Sequence, residues 1–336
     1  MKVTIKDVAK KAGVSVTTVS FVLNGRLREV SEETAKTVLK TVKELGYVPN
    51  TRARNLQRQR SGFIALLVPD LANPFYTALA QAIMMELEDS EFLLALINSS
   101  GRLTSEENIY KLFASNTFDG GLIVSKKFDL EKYYPNLINT MPFVLLDESV
   151  DNEDIYVVTG NNIKGGVLAA EHLIEMGHTR LACITGPNDS PNSNKRLKGF
   201  LDECAKSGIE VDKENILEGD YTFESGYSSA MELIKRQNDI TAVFCFNDLM
   251  ALGAMRAFRE MKISIPDDIS IIGYDNSLYA QTSYESLTSI DQCVQDIGKK
   301  AIHILLNMIE KKDIKAKKIF IEPHLVKRDT VKRRII

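Results

Sequence analysis

Seven short apolar runs recur between residues 63 and 273, at 63–68, 92–97, 121–124, 143–146, 181–185, 242–246 and 269–273, with amphipathic stretches between them. Each run is too short for a helix and too continuously apolar to leave one face wet. Each therefore reads as a strand buried on both faces of a parallel sheet. The intervening stretches, for example 77–89, 164–176, 195–207 and 248–261, carry helical periodicity. Repeated β-α units joined by right-handed crossovers give doubly wound α/β lobes. Ligands in such sheets collect at the carboxyl ends of the strands and, with two lobes, in the cleft between them. The polar residues that follow the runs are thus candidates for ligand contact. They are Asp70 and Asn73-Pro74-Phe75-Tyr76 after the first, Asp147 after Leu146, Asn247-Asp248 after Phe246, and Asp275 after Tyr274.

At 336 residues the chain exceeds one ordinary core and suits a small domain plus a bilobed one, because cores stop growing near ~250–300 residues. No apolar run reaches the ~18 residues of a membrane helix, and the first residues lack the apolar stretch of a secretory signal. A cytoplasmic protein with no membrane association is expected. Cys183, Cys204, Cys245 and Cys293 are scattered and form no C-x-x-C pair, so free thiols are expected rather than disulfides or a zinc site. No cofactor or metal is implied. An enzyme is disfavoured, since the chain has no G-x-G, Walker A loop, G-x-S-x-G elbow or H-E-x-x-H.

The net charge of −3 conceals an asymmetry. Residues 1–60 hold 13 Lys and Arg against 5 Asp and Glu, or +8, while the other 276 residues hold 29 against 40, or −11. A basic head on an acidic body is the electrostatic footprint of a phosphate-binding surface. The head is also patterned to fold. Thr4 with Asp7 marks a helix start, and Ile5, Val8, Ala9 and Ala12 recur at helical spacing until Gly13, which can take the left-handed turn. Ser15 caps a second helix over 16–23 with Val19, Val22 and Leu23 inward. Ser31 caps a third, bearing Val38, Val42 and Leu45 and ending at Gly46. Helix, short glycine turn and helix make a helix-turn-helix. Beyond it Pro49 blocks continuation and Asn50 can cap a new short segment, Thr51-Arg52-Ala53-Arg54-Asn55-Leu56-Gln57-Arg58-Gln59-Arg60, in which four arginines flank one leucine. So short a helix is marginal in water, which leaves a solvated basic linker in the free protein.

These residues resemble the headpiece of the lactose/galactose repressor (LacI/GalR) family. They are Thr4-Ile5-Lys6-Asp7-Val8-Ala9, Gly13-Val14-Ser15, Thr18-Val19-Ser20, Leu23-Asn24-Gly25, Val30-Ser31-Glu32-Glu33-Thr34 and Leu45-Gly46-Tyr47-Val48-Pro49-Asn50. The resemblance implies a recognition helix in the major groove, with Val16, Thr17 and Phe21 on base edges. Phe21 departs from the Arg or His frequent there, and Phe can offer only apolar contact, to a thymine methyl, or else a place in the headpiece core. Thr4, Thr18, Ser20, Asn24 and the Ser15 amide are assigned to DNA as well, the last four to phosphates that position without reading sequence. The resemblance further implies that the hinge, with Asn50, Arg52, Ala53 and Leu56, folds on the operator and that Leu56 wedges between base pairs.

The body resembles the family's periplasmic-binding-protein-like sensor in Gly177-His178-Thr179-Arg180, Arg196-Leu197-Lys198-Gly199-Phe200, Phe246-Asn247-Asp248 and Gly273-Tyr274-Asp275. By that resemblance Asn73, Asp147, Arg196, Asn247 and Asp275 hydrogen-bond an effector, while Phe75, Tyr76 and Tyr221 supply an aromatic wall. Asn247 and Asp248 read equally as helix caps. Arg196 and Asp275 are expected to face each other across the cleft.

The fold class is accordingly a small all-α helix-turn-helix headpiece plus a bilobed α/β domain with doubly wound parallel sheets. The boundaries fall at 1–49 for the headpiece, 50–61 for the hinge and 62–336 for the effector and dimerisation domain. Its lobes span 62–160 with 292–320, and 161–291 with 321–336. The function expected is that of a repressor binding a palindromic operator as a homodimer, controlled by a sugar or sugar phosphate, whose hydroxyls suit Asp147, Asn247 and Asp275. The alternatives are a purine- or nucleoside-responsive repressor, which the Phe75-Tyr76 pair permits, and a cytoplasmic small-molecule-binding protein without operator activity. No C-terminal leucine heptads support a tetramer.

Overall fold

The computed structural model describes residues 3–23, 25–48, 60–99, 106–115, 117–124, 137, 140–147, 154–236, 239–314 and 316–334. Asn24 and the hinge residues Asn50, Arg52, Ala53 and Leu56 lie outside them. The chain divides into two compact units, Met1–Ser61 and Gly62–Ile336. Together they make the expected all-α headpiece and two-lobed α/β body.

In the headpiece, α1 (Ile5–Ala12) begins where the Asp7 carboxylate accepts from both the Thr4 amide, at 2.9 Å, and the Thr4 hydroxyl, at 2.7 Å. It ends at Gly13, whose φ of 69° is a conformation that a Cβ would strain. The next helix, α2 (Val16–Leu23), is capped by Ser15, whose Oγ accepts from the Thr18 amide at 3.0 Å. A longer helix, α3 (Glu32–Leu45), is capped by Ser31, and Val8, Ala9, Val19, Val22, Ala35 and Val38 form the shared core of all three.

The body holds two six-stranded sheets. Lobe 1 contains β1 (Phe63–Val68), β2 (Leu93–Asn98), β3 (Gly120–Ile123), β4 (Phe143–Leu146), β5 (Val157–Gly160) and β11 (Lys318–Ile321), in the order β11-β5-β4-β3-β1-β2 and parallel throughout. Lobe 2 contains β6 (Leu181–Thr185), β7 (Ile216–Glu218), β8 (Ala242–Cys245), β9 (Ser270–Tyr274), β10 (Thr288–Asp291) and β12 (His324–Val326), in the order β12-β10-β9-β8-β6-β7. Only the β10–β12 pairing is antiparallel among those described.

Strand alternation explains why the runs are apolar without a break. On β1, Ile64, Leu66 and Val68 enter the core beneath α4 (Pro74–Leu87) and α11 (Val294–Ile309), while Ala65 and Leu67 enter a second core against α5 (Glu106–Ala114). In lobe 2, α6 (Asn162–Glu175) packs on α7 (Pro191–Lys206), and α8 (Phe223–Lys235) on α9 (Asp248–Glu260), around a core that includes Phe200, Phe244, Phe246 and Tyr274. The backbone passes between the lobes three times, after β5, after β10 and after β11. No helix among the described residues is long and apolar enough to cross a membrane.

Candidate functional site

In the headpiece, burial of Val19 and Val22 fixes which face of α2 looks outward. Val16 is 40% exposed, Thr17 is exposed and Phe21 is half-buried. Thr17 and Phe21 are one turn apart and share a face, and Phe21 is absent from the residues that build the headpiece core. The hydroxyls of Ser15 and Thr18 bond each other at 2.9 Å, beside the amino end of the helix. That end is where an anion meets free amides and a favourable dipole.

In the body, the carboxyl ends of the two sheets bring together most of the side chains singled out above. Asn73 is the cap of α4, its Oδ1 accepting from the Phe75 amide at 3.0 Å, and Pro74 occupies the first helical position. This cap directs Phe75 and Tyr76 into the protein as an edge-to-face pair with ring centroids 5.3 Å apart. Burial first, then Asp147 of its own lobe and Tyr221 and Asp275 of lobe 2, raise the phenol pKa of Tyr76 well above the usual value, which puts this lobe 1 ring close to lobe 2.

Asp147 follows β4 with a positive φ of 53°. From α7 in the other lobe, Asn192 Nδ2 donates to both the Asp147 carbonyl, at 2.7 Å, and its Oδ1, at 2.9 Å. Asn192 is itself buried, and its Oδ1 has no hydrogen-bond partner. Buried polar atoms are normally satisfied, so this acceptor marks a place for a donor.

Arg196 stands one turn beyond Asn192 on α7 and is 4% exposed. Its Nε donates to Asn162 Oδ1 at 2.7 Å, Nη1 to the Phe246 carbonyl at 2.5 Å and Nη2 to Gln292 Oε1 at 3.3 Å, while its plane lies 3.7 Å from the Tyr274 ring centroid. Burial works against its charge, but Tyr274, Tyr221, Asp275 and Asp147 outweigh it and hold the pKa above the usual value. Gln292 Nε2 then donates to Asp275 Oδ1 at 2.5 Å.

Arg196 and Asp275 therefore do not face each other across the cleft, as expected from sequence. Both belong to lobe 2 and are bridged by Gln292, since α7 and the end of β9 pack on the same sheet. Asp275 is half-buried, and desolvation followed by the neighbouring Asp248 pushes its carboxyl well up. Asp248 Oδ1 accepts from the Ser289 hydroxyl and Oδ2 from the Ser277 amide, both at 2.6 Å. Burial raises its pKa to about 6.

Asn247 caps α9, its Oδ1 accepting from the Met250 amide while its Nδ2 donates to the Tyr221 carbonyl, each at 2.9 Å. The cap reading of this residue is the one realised. It also holds Tyr221, whose φ is 70° and whose ring lies where a side chain at residue 186 would be, since a Cβ on Gly186 would stand 2.1 Å from Tyr221 Cζ. Sequence reasoning missed Asn192, Gln292, Asn162 and Tyr274. Asn192 carried a usable signal, its i, i+4 relation to Arg196 on one helix face.

Comparison with known proteins follows the same division of the chain. Residues 4–50 match the model described as bacterial regulatory proteins, lacI family, and residues 170–331 match the periplasmic binding protein-like domain. The HTH-type transcriptional repressor PurR of Photobacterium profundum is 34% identical over 332 residues, covering 98% of each chain. That of Aliivibrio fischeri is 36% identical over 337 residues, covering 99% of each. Among solved structures, a Lac repressor dimer bound to operator and the anti-inducer ONPF is 28% identical, covers 99% of this chain and 100% of its own, and superposes with a TM-score of 0.84. A transcriptional regulator CelR–cellobiose complex is 31% identical, covers 98% and 100%, and has a TM-score of 0.74. The chains it resembles are transcriptional repressors and regulators, not enzymes.

Proposed function

Since the chain belongs to the lacI family of bacterial regulatory proteins and is a DNA-binding transcriptional repressor, we propose that a sugar or sugar phosphate in its cleft sets its affinity for operator. Repressors of this family bind operator DNA as dimers and respond to small-molecule effectors. The observation that carries the proposal is the polar set, buried or half-buried, shared by the two lobes. Asp147 and Asn192, with its unpartnered Oδ1, lie on either side of the cleft, and the Arg196–Gln292–Asp275 chain lies behind them. Several acceptors at fixed directions suit several hydroxyls, and Tyr221 and Tyr76 suit the apolar face of a sugar ring. Asn247 serves by seating Tyr221, and Asn73 by capping the helix that carries Phe75 and Tyr76.

Val16, Thr17 and Phe21 read bases, with Phe21 on a thymine methyl. Thr4, Ser15, Thr18 and Ser20 contact the backbone, and Asn24 and the hinge with Asn50, Arg52, Ala53 and Leu56 complete the DNA contacts. The homodimer is supported by exposed apolar side chains on lobe 1, Phe63, Met84, Met85, Leu93 and Leu96, with Leu278, Tyr279 and Tyr284 on lobe 2. Effector binding moves operator affinity only if it favours one lobe arrangement over another.

A purine effector is the second reading. It is favoured by the relatives called PurR and by the Phe75–Tyr76 pair, which offers flat apolar surface to a heterocycle. A thermal-shift screen of sugars, sugar phosphates and purines, followed by operator titration with each hit, decides between them. A purine that alone raises Tm and alters operator affinity would displace the sugar reading.

A further inference from the structure

Three of the four cysteines, Cys183, Cys204 and Cys245, are sealed in the core of lobe 2 at 0%, 1% and 0% exposure, whereas Cys293 is only partly buried. Cys293 lies in the second passage of the chain between the lobes, at the amino end of α11, with its backbone at φ 56°. Its Sγ is 3.3 Å from His324 Nδ1, at the start of β12, and 3.4 Å from the Glu322 carbonyl, on the third passage. The thiol thus ties one passage to another. On the far side of the ring, His324 Nε2 is 3.7 Å from Asp291 Oδ2. Asp291 is itself fixed, because its Oδ1 accepts from the Cys293 amide at 2.6 Å and its Oδ2 from Asn276 Nδ2 at 2.8 Å. A carboxylate within ion-pair distance of an imidazole that faces a thiol is the order of groups that makes a cysteine nucleophilic.

We propose that Cys293 is a reversible peroxide-sensing thiol, with His324 as its base and Asp291 as the residue positioning that base, and that its oxidation alters the joint between the lobes. Burial, with Asp291 and Asp296, pushes the thiol pKa up, so the resting group is the neutral S–H, with His324 Nδ1 at 3.3 Å and the Glu322 carbonyl at 3.4 Å both within its reach as acceptors. His324 takes that proton as sulfur attacks the terminal oxygen of a hydroperoxide. The S–O bond forms as the O–O bond breaks, sulfur loses two electrons, and the leaving alkoxide or hydroxide takes a proton from His324. Thiol and hydroperoxide thereby become sulfenic acid and an alcohol or water.

His324 is 61% exposed at its side chain, which gives small peroxides and protons access. The other three cysteines are sealed in the lobe 2 core, so the sulfenic acid persists until two equivalents of a small thiol reduce it, releasing water and the small disulfide. The added oxygen must be accommodated between Sγ, the His324 ring and the Glu322 carbonyl. The residue next along the chain is Gln292, which holds Arg196 and Asp275. The effect on operator affinity rests on the proposed coupling of lobe arrangement to DNA binding. The thiol chemistry does not.

The test treats the full-length dimer with hydrogen peroxide in the presence of dimedone and maps the adducts. The expected result is an adduct on Cys293 and on no other cysteine, formed at least tenfold more slowly in His324→Gln and absent in Cys293→Ser. An adduct on another cysteine, or an unchanged rate in His324→Gln, overturns the site. Operator titration uses a duplex the protein selects from a random pool. Peroxide should change the apparent Kd at least threefold, reversibly with dithiothreitol, and leave Cys293→Ser unaffected. An unchanged Kd with Cys293 fully oxidised overturns the link to the lobes. A reduced protein that answers no effector would instead sink the proposed allostery while leaving the dimedone map intact.

Discussion

Arg196 meets no carboxylate directly. Its three donors end on an amide, a backbone carbonyl and Gln292, with an aromatic ring beneath. Arg196→Ala removes a buried charge and takes a donor from the Phe246 carbonyl and from Gln292 Oε1, each such loss costing ~1–3 kcal/mol, while Asn162 Oδ1 keeps the Tyr274 hydroxyl. The variant is therefore expected to lose several kcal/mol of body stability as well as any effector response, and urea unfolding followed by a lobe 2 probe checks it. An unshifted midpoint would mean that the guanidinium is dispensable to the fold. Asp248 gives a pH signature. Its folded pKa of about 6 lies above the carboxylate's ordinary 3.8, so between those values the native state binds a proton that the unfolded chain has released. This contribution is present on the acid side and lost as pH rises through 6. Relative to the wild type, Asp248→Asn should gain Tm from pH 5 to pH 7, and parallel Tm curves would refute the assignment. That Arg196 and Asp275 lie near the carboxyl ends of the strands was legible from their places on a patterned helix and after a strand. Their relation was not, because Gln292, which joins them, follows a strand whose Thr288 and Ser289 look like loop residues until hydrogen bonds to Thr330 and Asp248 satisfy them.

Among the elements, the runs at 63–68, 143–146 and 181–185 coincide with β1, β4 and β6, and the other runs agree with their strands to within a residue at each end. Apart from Phe63 and the edge strand β2, where Leu93 and Leu96 are exposed, their apolar residues are buried on both faces, so composition alone carried the signal. The strands β5, β7, β10, β11 and β12 escaped notice because they are three or four residues long, and several are polar or lie near a sheet edge. Helices α4 and α7 begin at Pro74 and Pro191, three to four residues ahead of the periodic pattern. Asn73-Pro74 and Ser190-Pro191 were the missed start signals, a capping residue followed by a proline that loses no helical bond at the first position. The face of α2 was legible because Val19 and Val22 leave one orientation open. Phe21→Ala should leave headpiece folding intact yet weaken specific operator binding by ~1–3 kcal/mol, the scale of one mismatched pair, while binding to random DNA stays the same. Competition between operator and random duplex in one titration measures both, and equal losses on the two would return Phe21 to a purely structural role.

At the scale of the molecule, the charge division between head and body predicts how binding responds to salt. A repressor neutralising about 6–10 phosphates loses ~10³–10⁵-fold in affinity between 50 and 200 mM salt. A dimer carrying +8 on each head is expected within that range, and a flat plot of log K against log salt would contradict a phosphate-gripping head. The three passages between lobes bear on a different matter, the order in which a growing polypeptide becomes structured. Each lobe borrows its last strand from the end of the chain, β11 for the first and β12 for the second. Thr330 then closes lobe 2 by bonding to Ile271 and Thr288, and Arg334 reaches back to Met176. The headpiece, by contrast, has its whole core within residues 3–47. During synthesis the DNA reader is ready before most of the chain has been made, whereas neither half of the sensor is finished until almost all of it has. Any product cut short ahead of residue 318 would carry an intact head on two lobes that each lack an outer strand, a finished reader joined to an unfinished sensor.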